Sequence, residues 1–316
     1  MANVNKIIGS LATAINKVSG SAISGLANIM GAVISLFSNT KSLSHGIANG
    51  TDAVYAASTA SDFQVVQTDA WSVSFWIKVG WTNSFNSTIH FIASNGSSGV
   101  QDNMWRVRYN ESNNRLYIGW RSASNERSNN FWYFHHPGAG EAGAQSGLGT
   151  TNYWCDTNTG YVNANGFTLI TLTKGTAITA TAANVTAYWN GQDLGDPFYA
   201  SGSQNGTPAM DAGVARNFAI GNNSWTYSSQ NGNGVPTLYD EVSLWDKELS
   251  AAEVLEIWGG AGVLGETTGA PSNLQTSSMA ANLIGYWRFE TNGTVSTVGS
   301  ATLTLDGNSQ SVTTPA

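Results

Sequence analysis

Residues 238–258 read LYDEVSLWDKELSAAEVLEIW, and they change period half-way. From Tyr239 to Trp245 the pattern alternates. Val242 and Leu244 fall on one face, and Tyr239, Glu241, Ser243 and Trp245 on the other, the signature of a strand with two unequal faces. Asp246 to Leu249 break the alternation. Ser250 then stands three residues before Glu253, the spacing of a capping box. Val254, Leu255 and Trp258 follow at helical spacing, and Gly259-Gly260 supplies the stop. A strand therefore runs into one short amphipathic helix.

Working outward, the other well-marked segments are strands. In WSVSFWIKV (71–79), Trp71, Val73, Phe75, Ile77 and Val79 alternate with Ser72, Ser74, Trp76 and Lys78, which predicts a half-buried strand. Shorter strands are expected at 89–93, 104–109 and 115–121. Asn190-Gly191 has the chemistry of a tight hairpin turn, because both positions tolerate positive φ. Many short alternating strands separated by Gly/Asn turns, with no helix after each strand, predict an all-β, antiparallel two-sheet jelly-roll sandwich with one short helix.

Five segments carry a resemblance. The 238–258 stretch resembles the DEV-x-hydrophobic-W-x-x-x-L-S-x-x-E segment of the laminin-G-like, concanavalin-A-like lectin superfamily. WSVSFWIKV resembles its early central strand. FTLITLTKG with VTAYWNGQDLG (167–195) resembles its middle hairpin. FAIGNNSW (218–225) resembles the strand before the DEV segment, and LIGYWRFE (283–290) resembles its GYW-x-F strand. The match spans roughly residues 50–290. In many relatives the GYW-x-F strand opens the domain. Here it stands near the end, which implies a permuted or strand-extended version.

With 316 residues the chain is long enough for one large sandwich or two small domains. Only 10% of residues are charged and 35 are glycine, so the surface is polar but sparsely ionic. A net charge of −7 argues against a nucleic-acid partner. The single cysteine, Cys155, allows no internal disulfide and no thiolate zinc site. The start, MANVNKIIGS, lacks the form of a signal peptide, so folding in a reducing cytoplasm is expected. Residues 18–40 carry no charge, but Ser, Asn and Gly dot them, so no membrane span is expected.

The first forty residues repeat. Asn5-Lys6-Ile7-Ile8-Gly9 recurs as Asn16-Lys17-Val18-Ser19-Gly20 and as Ala27-Asn28-Ile29-Met30-Gly31, with Ile15, Leu26 and Phe37 closing the copies. A fixed period is an architectural statement. One reading is a helix with right-handed supercoil, against which each interior glycine costs about 1 kcal/mol. Another makes each glycine a turn in a small β-solenoid, and a third is a plain amphipathic helix docked on the sandwich. The expected organisation is an anchoring or oligomerising segment over 1–40, a linker over 41–49 containing His45, and the sandwich over 50–316, strand 283–290 included.

Candidate chemistry is sparse. Flat rings among amide groups suit sugar binding, and Trp132, Tyr133, Trp154, Trp225 and Tyr227 lie in such company, within long polar stretches at 122–161 and 222–236. The same residue types also fill cores and interfaces. Calcium occurs in many proteins of the resembled family. Asp102, Asn103 and Asp240, with Asn222 and Asn223, offer oxygen ligands, but without a loop signature. A glycosidase needs two carboxylates, about 5 Å apart in the retaining case. The family's hydrolytic branch carries an E-x-D-x-x-E strand that does not occur here, and adjacent Asp240 and Glu241 are expected to point to opposite faces of a strand. His135-His136 diverge likewise and lack a third ligand. Residues 138–147 lack the Lys-Ser/Thr ending of a phosphate loop. Asp240, Glu241, Trp245, Ser250 and Glu253 are assigned structural roles.

These features, with K-[IV]-x-G repeats similar to those that begin structural proteins of marine tailed phages, imply a non-enzymatic virion protein: a fibre tip, adhesin or capsid decoration. Its expected partners are copies of itself, as a homotrimer by analogy with fibres, and other virion proteins. The alternatives are a carbohydrate-binding module recognising a host surface glycan and, more remotely, a glycan hydrolase.

Overall fold

The structure is a computed structural model. It describes residues 37–45, 53–56, 70–78, 86–93, 105–110, 115–120, 130–135, 166–176, 185–195, 199–201, 216–221, 237–262, 268–290, 296–299, 302–305, 310–312 and 316. The chain divides into two units between Ser38 and Asn39, and the sandwich is the second of them. Apart from its closing Phe37, the eleven-residue repeat lies outside the described residues.

Among the described residues the fold is an antiparallel two-sheet β-sandwich with one α-helix, as the alternating segments predict. The first sheet contains β1 (Ser42–His45), β3 (Trp71–Lys78), β8 (Thr168–Lys174), β9 (Val185–Trp189), β10 (Gln192–Asp193), β13 (Thr237–Trp245), β14 (Leu283–Trp287) and β16 (Gln310–Val312). Its order is β10-β9-β8-β3-β13-β1-β16. Strand β13 pairs with β3 along one edge. Along the other edge β1 takes its first residues and β14 its last. The second sheet runs in the order β11 (Tyr199–Ser201), β7 (Asn130–His135), β6 (Arg115–Trp120), β5 (Trp105–Asn110), β4 (Asn86–Ala93), β12 (Arg216–Gly221), β2 (Ala53–Ala56) and β15 (Leu303–Leu305). Buried Ile220 and Leu303 mark its inward face.

Two findings differ from the sequence expectations. Ser42–His45, within the stretch read as a linker, is strand β1, hydrogen bonded between β13 and β16. Short length and a single apolar side chain, the buried Leu43, leave no alternation to read, and pairing along both edges completes its stability. Strand β3 is not half-buried: Trp71 through Ile77 are all buried. One face, with Trp71, Val73, Phe75 and Ile77, looks into the sandwich. The other lies under α1 (Ala251–Trp258) and two 3₁₀ turns, Leu274–Thr276 and Ala280–Asn282. There Trp76 stacks on Trp258, with centroids 5.2 Å apart and planes 23° from parallel.

The covered face tolerates hydroxyls because they pair. Ser74 and Thr171 hydroxyls lie 2.9 Å apart, and Ser243 donates to the Ser74 carbonyl at 3.2 Å. Ser72 donates to the Lys247 carbonyl and accepts from the Leu249 amide, which pins the turn between β13 and α1. Such pairing removes the cost of burying a lone polar group. Ser250 then caps α1, its Oγ accepting from the Glu253 amide while the Glu253 carboxylate accepts from the Ser250 amide. Gly259 ends the helix at φ 73°. Asn190 and Gly191, both at positive φ, make the β9–β10 turn.

Candidate functional site

The DEV segment builds a buried polar knot. The β13–β3 register shifts between Asp240 and Ser243, so Glu241 and Val242 bulge out of the ladder, and Glu241 takes φ 47°. A left-handed non-glycine residue is uncommon and points to a local constraint. The bulge changes the parity of the strand. Tyr239 pairs with Ile77 and shares the face of Val242 and Leu244, not that of Ser243 and Trp245 as strict alternation predicts. It also corrects the expectation that Asp240 and Glu241 diverge, since both carboxylates engage groups of the same buried cluster.

Asp240 is fully buried. Its Oδ2 accepts from the Ala316 amide at 2.9 Å and its Oδ1 from the Glu241 amide at 2.8 Å. Glu241 accepts from the Tyr286 hydroxyl and pairs with Arg288 at 3.3 Å. Tyr286 lies opposite Ser243 on β14. Burial pushes the Asp240 carboxyl up to about 7, opposed by the hydrogen bonds from the Ala316 and Glu241 amides. Burial, and then the charge of Asp240, raise Glu241 well above the carboxylate range, with Tyr286 and Arg288 opposing. Glu290 sits beside this knot, and its carboxylate accepts from the Thr40 amide (2.7 Å), the Thr40 hydroxyl (2.6 Å) and the Lys41 amide (3.2 Å). A carboxyl near neutrality is what active sites often use. Here both oxygens of Asp240 are occupied by main-chain amides inside the core, so the knot holds β13, β14 and the flanking chain together.

The second sheet brings other residues together by register. Tyr117 of β6 pairs with Tyr133 of β7, and Tyr133 with Tyr199 of β11, giving one row of three tyrosines across three strands. Trp132 pairs with Ile118 and Ala200. Following its row through Val107 and Ile89 leads to buried Ile220, so Trp132 has a register position on the inward face and the tyrosine row lies on the opposite one. The tyrosine row was invisible to sequence reasoning. Its members come from three separate strands, and the only local signal is the period-2 placement of Tyr117 and Tyr133 within strands β6 and β7.

Of the other sequence-derived candidates, Trp154, Trp225, Tyr227, Asp102 and Asn103 lie outside the described residues, as do Asn222 and Asn223. Trp245 is buried in the core between β13 and α1. Among the described residues no group of three or more His, Cys, Asp or Glu is placed to hold a metal ion. No helix among them is long and apolar enough to cross a membrane.

No protein-family model matches the chain, and no curated protein matches it. Similar solved structures include a Bacteroides ovatus protein described as carbohydrate-binding. It is 13% identical with a TM-score of 0.45, over 88% of this chain and 61% of that one, so the present chain spans less than two thirds of its length. A heptameric SAP-like pentraxin from Limulus polyphemus is 11% identical with a TM-score of 0.40, over 86% of this chain and 98% of that one. The carbohydrate-binding module of a Ruminococcus gnavus IT-sialidase, bound to α2,6 sialyllactose, is 12% identical with a TM-score of 0.40, over 68% and 96%. Likeness at this level concerns the path of the chain and says nothing of its ligands.

Proposed function

We propose that this sandwich is a non-enzymatic glycan-recognition module, carried on a tailed-phage virion as a fibre tip, adhesin or decoration. The observation that carries the recognition reading is the row Tyr117, Tyr133 and Tyr199 on the sheet face opposite Ile220. Aromatic residues offer flat apolar surface with a polar edge, which suits the face and hydroxyls of a sugar ring. The non-enzymatic part draws on Asp240 and Glu241, the carboxylates of the DEV segment, being enclosed and hydrogen bonded within the fold. The virion setting draws on the eleven-residue repeat and its likeness to phage structural proteins. A homotrimer assembled through that repeat, made in the host cytoplasm, fits the fibre reading.

A glycan array probed with the full chain tests the recognition reading. Binding is expected, with Tyr133→Ala and Tyr117→Ala each losing about tenfold or more while the protein still unfolds cooperatively. A second reading, an architectural cement protein, is favoured by the 10% charged composition, since an uncharged polar surface is easily buried against neighbours. A silent array from a protein that forms oligomers supports that second reading instead.

A further inference from the structure

The sheet face that holds the tyrosine row also gathers positive charge. We infer that this face recognises an acidic saccharide, one bearing carboxylate or sulfate groups. The inference rests on the glycan-recognition reading and narrows it to one ligand class.

The strands of the second sheet contain four arginines and two histidines, and no aspartate or glutamate. That is unexpected in a chain of net charge −7, whose first sheet carries Asp193, Asp240 and Glu241. Register assigns three of the arginines to the tyrosine face. Arg108 pairs with Tyr117 and so continues the tyrosine row. Arg106 lies in the next row, between His90 and Gly119. Arg115 pairs with His135 in the row on the other side. Each of three successive rows on one face therefore carries an arginine.

Guanidinium groups bind carboxylate and sulfate as two-pronged forks, while aromatic rings take the apolar face of a sugar. Tyr199 to Arg108 spans three inter-strand steps, about 14 Å, the reach of a short oligosaccharide. Gly119 sits in the middle of this face, between Arg106 and Phe131. Glycine inside a strand marks a bulge, a bend or a close approach to the backbone. The register runs unbroken past Gly119 on both sides, so no bulge explains it. An approaching ring would use the space a side chain would otherwise fill. A nucleic acid is the less suitable anion. Duplex DNA carries a charge about every 1.7 Å along a long polymer, which a protein of net charge −7 repels at long range, whereas a short acidic saccharide brings only a few charges to the arginines.

The test is calorimetric titration of the full chain with sialyllactose, lactose, a heparin tetrasaccharide and oligothymidylate. Sialyllactose and lactose share a core and differ by one carboxylated sugar, and heparin supplies sulfate. An acidic saccharide is expected to bind about tenfold or more tightly than lactose, and salt is expected to erode the difference. Arg106→Gln with Arg108→Gln should abolish the preference, and Arg108→Lys alone should weaken it. Gly119→Val suits a strand, so it should leave the melting temperature unchanged or higher while reducing binding. Because that variant blocks the face without removing charge, it stays informative if the arginine double variant fails to fold. Equal binding of lactose overturns the acidic class but leaves glycan recognition standing. No saccharide binding overturns both. Oligothymidylate binding above every saccharide overturns the inference in favour of nucleic acid. Gly119→Val binding as tightly as the parent removes the site from this face.

Discussion

At the scale of single residues, the unusual investment is the pair of enclosed carboxylates on β13. Burial holds Asp240 near 7, above the value of about 4 for an exposed aspartate. A raised folded-state value means that the folded protein keeps a proton the unfolded chain releases. Stability from this group is therefore greatest at or below about pH 4, declines as pH rises towards 7, and levels off above it. Glu241, raised by burial and by Asp240, acts with the same sign. Asp240→Asn cannot titrate. The difference in melting temperature between parent and variant should change steadily between pH 4 and 7, and parallel profiles would show that Asp240 is ionised in the folded protein. Tyr286→Phe keeps the ring but leaves Glu241 without its hydroxyl donor. We expect a loss of about 1–3 kcal/mol in urea unfolding. Adding Glu241→Gln should cost less than the sum of the two single changes, because both act on one bond. The sequence displayed these residues but not their geometry. Period-2 reasoning assigns Asp240 and Glu241 to opposite faces, and a left-handed Glu241 defeats it. No propensity of glutamate foretells that conformation, since the contacts with Tyr286 and Arg288 over-determine it.

Among elements, α1 matters because it roofs the outer face of the first sheet. Ser250→Ala removes the oxygen that accepts the Glu253 amide and should cost about 1 kcal/mol. A chemical-denaturation midpoint unchanged within error would mean that the helix is held by its buried face alone. Gly269 lies against that face: a Cβ there would fall 2.3 Å from the Trp258 ring. Gly269→Ala should therefore shift the Trp258 ring or the chain beside it, at about 1–3 kcal/mol, and disturb the near-ultraviolet signal of the Trp76–Trp258 stack. The local chemistry of these elements was readable. Helical spacing, the glycine stop and the Asn190-Gly191 turn each act over a few residues. Strand β1 was not readable, because SLSH has no apolar alternation and owes its state to β13 and β16. The half-buried expectation for β3 failed for a related reason. The serines of its second face look solvent-directed in sequence, but they are buried and paired beneath α1.

At the scale of the whole molecule, the sandwich class followed from many short strands and glycine/asparagine turns, whereas the order of strands did not. Tyr117, Tyr133 and Tyr199 meet only through pairing across long connections, and that pairing is a tertiary fact. The same holds where the described sandwich begins. Sequence reasoning put its start at residue 50, yet Thr40 and Lys41 are bound to Glu290 and β1 follows at once. Truncation should therefore be sensitive to a difference of three residues. A 39–316 fragment keeps the Glu290 contacts and should melt with the parent. A 42–316 fragment loses three hydrogen bonds to a carboxylate beside Asp240, and should be less stable by about 1–3 kcal/mol. Light scattering on the same three proteins separates folding from assembly. If the repeat in residues 1–38 joins the subunits, both fragments should have the mass of one chain while the full chain is a multiple of it. If the 39–316 fragment keeps the full assembly mass, the contacts between copies lie on the sandwich, and its sheet faces become candidates for burial against a neighbour rather than for sugar. A low mass in the fragment, with glycan binding intact, would assign assembly to the repeat and recognition to the sandwich.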